Sequence, residues 1–250
     1  MSIQRFFIKD LPPNPDVIIF PPDIAHQIAH VLRCEAGETV VVLNGDGKAY
    51  HVELNELDGK SIRGKVILAG EERFRAAHEI HLYFPLSKKE KVEWILQKGT
   101  EVGVSAFHPF ISQRSLIQKI DLKPSKITRW EAIIREAAEQ SGRIFLPRLK
   151  CPIDLGKLIE NEMIMMDASF VASIDEAFPF RDALLPLVKN QKEDGRLKIA
   201  LFTGPEGGFG PDEVDSLRKL GCTTVSLGAH ILRMETAAIV MPAIITHLIG

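Results

Sequence analysis

The stretch Thr203-Gly204-Pro205-Glu206-Gly207-Gly208-Phe209-Gly210 decides the reading of this 250-residue chain. It follows Leu197–Phe202, an apolar run with the length of a buried strand, and opens onto Pro211-Asp212-Glu213, a helix start. A glycine-rich turn between a strand and a helix N-terminus is a ligand-binding position in α/β proteins. Glycine lets the backbone come close, and the helix end offers free N–H groups. Spacing excludes two common identities. Gly204 is followed by Pro205-Glu206 and then a glycine pair, so G-x-G-x-x-G is absent, and no Lys follows the glycines as a P-loop requires.

A second turn of the same construction lies further on. Residues 223–227 read as a strand, Gly228 to Arg233 as a turn, and residues 235–248 as a helix. Two adjacent parallel strands would carry both turns to the carboxyl edge of one sheet and make a single crevice. Backbone groups from two loops suit a flat heterocycle with few charges better than a polyphosphate. The last helix is apolar on nearly every side, from Ala237 and Ala238 through Ile239, Val240, Met241, Ala243, Ile244 and Ile245. Such a helix is buried, in its own core or against another subunit. Pro242 within it forfeits a backbone bond.

Upstream, strands at residues 80–84, 106–111 and 163–166 alternate with helices at 88–102, 125–141 and 180–190, and another helix covers 211–220. Alternation of this kind predicts a parallel sheet with helices on both faces. The start of the chain differs. Short β-branched or aromatic runs at 5–8, 17–20, 39–43, 50–54 and 62–68, with turns at Asn44-Gly45-Asp46-Gly47 and Asp58-Gly59, surround one helix beginning at Pro21-Pro22-Asp23. That predicts a small β-barrel. The polar stretch 69–78 separates the two patterns, so the expected domains are 1–74 and 75–250.

With 45% hydrophobic and 26% charged residues the composition is that of an ordinary soluble protein. Cys34, Cys151 and Cys222 are widely spaced without C-x-x-C, which argues against a disulfide framework or a structural zinc. No apolar run approaches a membrane span and no secretory signal is visible, so a cytoplasmic location is expected. His26 and His30 have metal-ligand spacing, but the glutamate of H-E-x-x-H and a third ligand are missing, so no metal is expected. Net charge is −2, yet residues 85–148 hold 12 Lys and Arg against 7 Asp and Glu, while residues 1–75 hold 9 against 11. A basic middle fits either localised phosphate contact or a solvated helix face.

The two C-terminal loops, Gly204-Pro205-Glu206-Gly207-Gly208-Phe209 and Ser226-Leu227-Gly228 with Ile231-Leu232-Arg233-Met234-Glu235-Thr236-Ala237-Ala238, resemble the bacterial 16S rRNA uridine-(N3) methyltransferases of the SPOUT (trefoil-knot) class. The resemblance spans the chain. Arg5-Phe6-Phe7, Val31-Leu32-Arg33, Gly37 and Asn44-Gly45-Asp46-Gly47 are similar to that family's PUA-like barrel. The middle contributes Lys98-Gly99-Thr100-Glu101-Val102-Gly103-Val104, Gln113-Arg114-Ser115 and Glu136 through Arg143. Ala229-His230 stands where Pro-Arg is usual, and Met234 where Thr is common.

The resemblance implies a SPOUT knot domain after a PUA-like RNA-binding barrel, with S-adenosylmethionine as methyl donor. It also implies a homodimer through the knot and last helix, acting on 16S rRNA or the assembled small subunit. The implied donor shell is Thr203, Gly204, Glu206, Gly207, Gly208, Leu227, Gly228, Ile231, Leu232, Arg233, Thr236 and Ala237. Uridine N3 is a weakly acidic imide nitrogen, nucleophilic once its proton leaves, so a cation near the uracil oxygens and a positioned base would both help. Arg233 is the candidate for the first role. Glu206 is the candidate base, or an anchor for loop N–H groups. Expected phosphate contacts are Arg5, Arg33, Lys88, Lys91, Lys98, Arg114, Arg135 and Arg143. A SPOUT enzyme with another target, such as a ribose 2′-hydroxyl, and a non-catalytic RNA-binding module are the alternatives.

Overall fold

The computed structural model describes residues 3–45, 47–57, 61–71, 78–120, 123–161, 166–174, 178–189 and 196–249. The chain forms two compact units, Met1–Phe74 with Ala138–Leu146, and Arg75–Ala137 with Pro147–Gly250.

The first unit holds β1 (Arg5–Phe7), β2 (Val17–Ile19), α1 (Pro22–His26), β3 (Thr39–Leu43), β4 (Lys48–Leu57) and β5 (Ile62–Glu71). The helix expected from Pro21 onward is α-helical only through α1 and continues as a π-helical turn, Gln27–Val31. Strand order is β1-β3-β4-β5-β2, with β1 parallel to β3 and the other pairings antiparallel. Period-two alternation sorts the side chains. Val40, Val42, Val52 and Leu54 enter one core with Ile24 and Ile28, while Phe7, Val41, Leu43 and Ala49 face a second. Ala138 and Ile144 close that second core, so a segment assigned by its position to the second domain packs in the first. Glu139 fixes it there, accepting the Phe7 N–H at 2.9 Å.

The second unit runs β6 (His78–Pro85), α2 (Lys89–Glu101), β7 (Val104–Ile111), α3 (Pro124–Gln140, entering the first unit at its end), β8 (Arg148–Leu149), β9 (Ile153–Asp154), α4 (Leu155–Glu160), β10 (Ala168–Ala172), β11 (Phe178–Pro179), α5 (Phe180–Lys189), β12 (Leu197–Phe202), α6 (Pro211–Lys219), β13 (Thr223–Ser226) and α7 (Met234–Ile249). Its sheet has the order β11-β13-β10-β12-β6-β7-β8, with β9 also on β7, and every pairing is parallel. Both faces are covered, which is why these strands are almost continuously apolar. On one face Tyr83, Val171, Ala200 and Phe202 pack with Leu155 and Leu158 of α4 and Leu217 of α6.

Two expectations change. The strands before the two glycine turns, β12 and β13, are not adjacent, because β10 lies between them. The strand expected at 163–166 falls largely on residues outside those described, and Met166 itself precedes the strand, which is β10.

Candidate active site

The carboxyl ends of β12, β10 and β13 surround a cavity of about 820 Å³. The turn Thr203 to Phe209 forms one wall and Val225 to Met234 another. Ala172-Ser173-Ile174, following β10, make a third wall that the two-turn reading lacked. Of the expected donor shell, Thr203, Gly204, Glu206, Gly207, Gly208, Leu227, Gly228, Ile231, Leu232, Arg233 and Ala237 line the cavity, and Thr236 does not.

Local bonding fixes both turns. The N–H of buried Thr203 donates to the Tyr83 carbonyl at 3.0 Å, carrying the β12–β6 ladder one residue further. The Gly208 N–H then donates to the Pro205 carbonyl at 2.8 Å, and Gly208 has φ +69°. Glu213, in the first turn of α6, braces the exit. It accepts the Gly210 N–H at 2.7 Å and the Gln113 N–H at 2.9 Å. Arg114 adds a bond from Nη1 to the Gly207 carbonyl at 3.1 Å. In the second turn Gly228 has φ +122°, a conformation that L side chains rarely adopt, and its N–H donates to Ser226 Oγ at 3.3 Å. The Arg233 carbonyl accepts the Ala237 N–H at 2.9 Å and opens α7, leaving the Arg233 side chain exposed at the cavity.

Glu206 is held from α2 and the loop before it. Ser87 Oγ donates to Glu206 Oε1 at 2.6 Å and Lys91 Nζ donates to the same oxygen at 2.9 Å. Lys91 Nζ also lies 3.2 Å from Glu235 Oε2, an ion pair whose alignment falls short of a hydrogen bond. Burial pushes the Glu206 carboxyl up, but the bonds from Ser87 and Lys91 outweigh it and leave it below the usual carboxylate range. A carboxylate so held is a poor proton acceptor, and the geometry suits the anchor role better.

The expected phosphate contacts differ in their local surroundings. Only Lys91 and Arg114 line the cavity, and Lys91 sits between two carboxylates. Lys98 pairs with Glu101 at 2.8 Å and lies over the Trp94 ring. Lys88 and Arg33 are exposed, the latter at φ +54°, and Arg5 donates to the Gly142 carbonyl at 3.3 Å. Arg135 and Arg143 are half-buried. Among the described residues no group of three His, Cys, Asp or Glu side chains could hold a metal, and no helix is long and apolar enough to cross a membrane. The three cysteines are free.

Residues 75–246 match the RNA methyltransferase domain family and residues 20–67 the RNA methyltransferase PUA domain family. The architecture is therefore that of the SPOUT methyltransferases, with a PUA-like unit at the start. The ribosomal RNA small subunit methyltransferase E of Bacillus subtilis is 31% identical over 240 residues, covering 94% of this chain and 93% of that protein. Its namesake from Synechocystis is 32% identical, covering 90% and 71%. A Legionella pneumophila structure described as a methyltransferase with bound cofactor SAM superimposes with TM-score 0.86 at 27% identity, covering 99% of this chain and 98% of that one. The Neisseria gonorrhoeae methyltransferase E bound to S-adenosylmethionine gives 0.84 at 26%, with the same coverage. The chain belongs to the ribosomal RNA small subunit methyltransferase E family.

Proposed function

We propose that this protein transfers the methyl group of S-adenosylmethionine to N3 of a uridine in 16S rRNA. The observation that carries the reading is the cavity, in which two glycine-bearing turns from separate strands present backbone groups to one space. Its volume of about 820 Å³ falls within the range of small-molecule pockets. The donor fits this lining. Gly204, Gly207 and Gly208 on one side and Leu227, Gly228, Ile231 and Leu232 on the other would hold adenine and ribose through main-chain groups. When bound, the donor supplies an electrophilic methyl group. Arg233 favours the uracil anion by placing its cation near the ring oxygens, and Glu206 anchors its loop.

RNA phosphates are met by Arg5, Arg33, Lys88, Lys98, Arg114, Arg135 and Arg143, which makes RNA affinity fall with salt. A homodimer forms through the knot region and α7. Ile239, Val240, Ala243 and Ile244 on α7 are only half-buried within one chain, and Ile231 is 78% exposed, which supports that reading. A ribosomal RNA substrate is compatible with a cytoplasmic location. The test is to incubate the purified protein and donor with free 16S rRNA or with small subunits, then digest to nucleosides for mass spectrometry. N3-methyluridine is expected. A ribose-methylated nucleoside, or no product from either substrate, would overturn the assignment.

A further inference from the structure

We infer that Lys91 is a positioning residue for the donor pocket, an ionic latch joining the turn at Glu206 to the first turn of α7 at Glu235, and not a contact for RNA phosphate. The inference rests on the proposed use of the cavity for the methyl donor. Lys91 lies in the first turns of α2, outside both loops, yet its Nζ reaches Glu206 at 2.9 Å and Glu235 at 3.2 Å. Glu206 sits inside the first glycine turn, and Glu235 follows two residues after Arg233. One ammonium thus ties the two main walls of the pocket to a single point on α2.

Charge explains why the latch matters. The three side chains are 26%, 28% and 16% exposed, so solvent screens them only in part. Without the ammonium, the two carboxylates would repel and the walls would separate. With it, the group carries net charge −1, which repels a phosphate. A lysine already neutralised on two sides has no counterions to release on RNA binding. Burial pushes the Lys91 amine down, but its hydrogen bond to Glu206 is the larger effect and holds it charged.

Calorimetry with S-adenosylmethionine, beside RNA titrations at several salt concentrations, tests this on the full-length protein. Lys91→Met is expected to weaken donor binding about tenfold, the loss of one charge-assisted bond and one ion pair in a half-buried site. Lys91→Arg should recover most of that loss, and the salt slope of RNA affinity should not change. A donor Kd within twofold of the unaltered protein overturns the inference, as does a salt slope smaller by about one. If Lys91→Met does not fold, Glu235→Gln serves, because Glu235 lies outside the cavity lining. That change should weaken donor binding about threefold by halving the latch, and unchanged affinity would overturn the inference. Absence of donor binding by the unaltered protein would instead overturn the proposed function.

Discussion

Two polar networks lie at opposite ends of β6, and their surroundings set them apart. Beyond the carboxyl end, Lys91 and Glu206 line an open cavity, with Ser87 and Glu235 bonded or paired to them from outside its lining. At the amino end, Glu79 pairs with Arg148 and, at 3.8 Å, with Arg196. His81 bridges from Glu79, at 3.2 Å, to His108, at 2.9 Å. The His108 ring stacks on Tyr83, which stacks on Phe202. Burial pushes the His108 imidazole down to about 3 and moves His81 down as well. By titration alone the amino-end network is the more perturbed and would be the better candidate site. It lines no part of the cavity, however. Displaced titration follows from burial wherever it occurs, so backbone groups open to a ligand-sized space are what distinguish a site.

The sharpest way to break this contrast is Arg233→Ala. If the carboxyl end is where charge develops, methyl transfer at saturating donor should fall about a hundredfold, as on removing one transition-state donor. Near-normal turnover would leave the cavity with a binding role only.

At the amino end the effect should appear in stability and follow pH. His108 stays neutral in the fold down to about 3, against 6.5 for a free imidazole. Below pH 6.5 the unfolded chain therefore takes up a proton that the folded protein refuses, and stability declines as pH falls towards 3. The slope is at most about 1.4 kcal/mol per pH unit for one proton. His81 acts with the same sign, and Glu79, whose carboxyl is also lowered despite its burial, adds to the decline only at more acid pH. Denaturant unfolding of His108→Phe, which keeps a ring against Tyr83, should show a shallower decline between pH 6 and 4, with donor affinity at pH 7 unchanged. An unchanged slope would mean that the network titrates freely. The smallest effect is expected from Gly228→Ala. A Cβ there meets nothing within 4 Å, so only the φ of +122° resists it. Strain of about 1 kcal/mol, read as roughly fivefold weaker donor binding, would show that the turn is held in its binding conformation.

Much of the cavity is legible in the sequence because its walls are local. The helix start at Pro211 and the two glycine turns are each written within a few consecutive residues, and it is the family resemblance of those turns that implies the donor shell from Thr203 to Ala237. The wall at Ala172-Ser173-Ile174 was missed because the strand before it was placed at 163–166. Lys91 falls among the expected phosphate contacts because the sequence shows a basic residue on the same helix face as Lys98 and not the carboxylates of Glu206 and Glu235 beside it.

By itself, then, the sequence determined the parallel α/β class, a separate β-rich start and both glycine turns, because periodicity and turn chemistry act over short spans. Only the tertiary structure decided that β10 separates β12 from β13, that 138–146 packs with the first unit, and that Lys91 joins Glu206 and Glu235. Strand order depends on which edges meet once helices cover both faces, and the bond between Lys91 and Glu206 spans 115 positions. Interactions over that range depend on the packed fold and leave no local pattern.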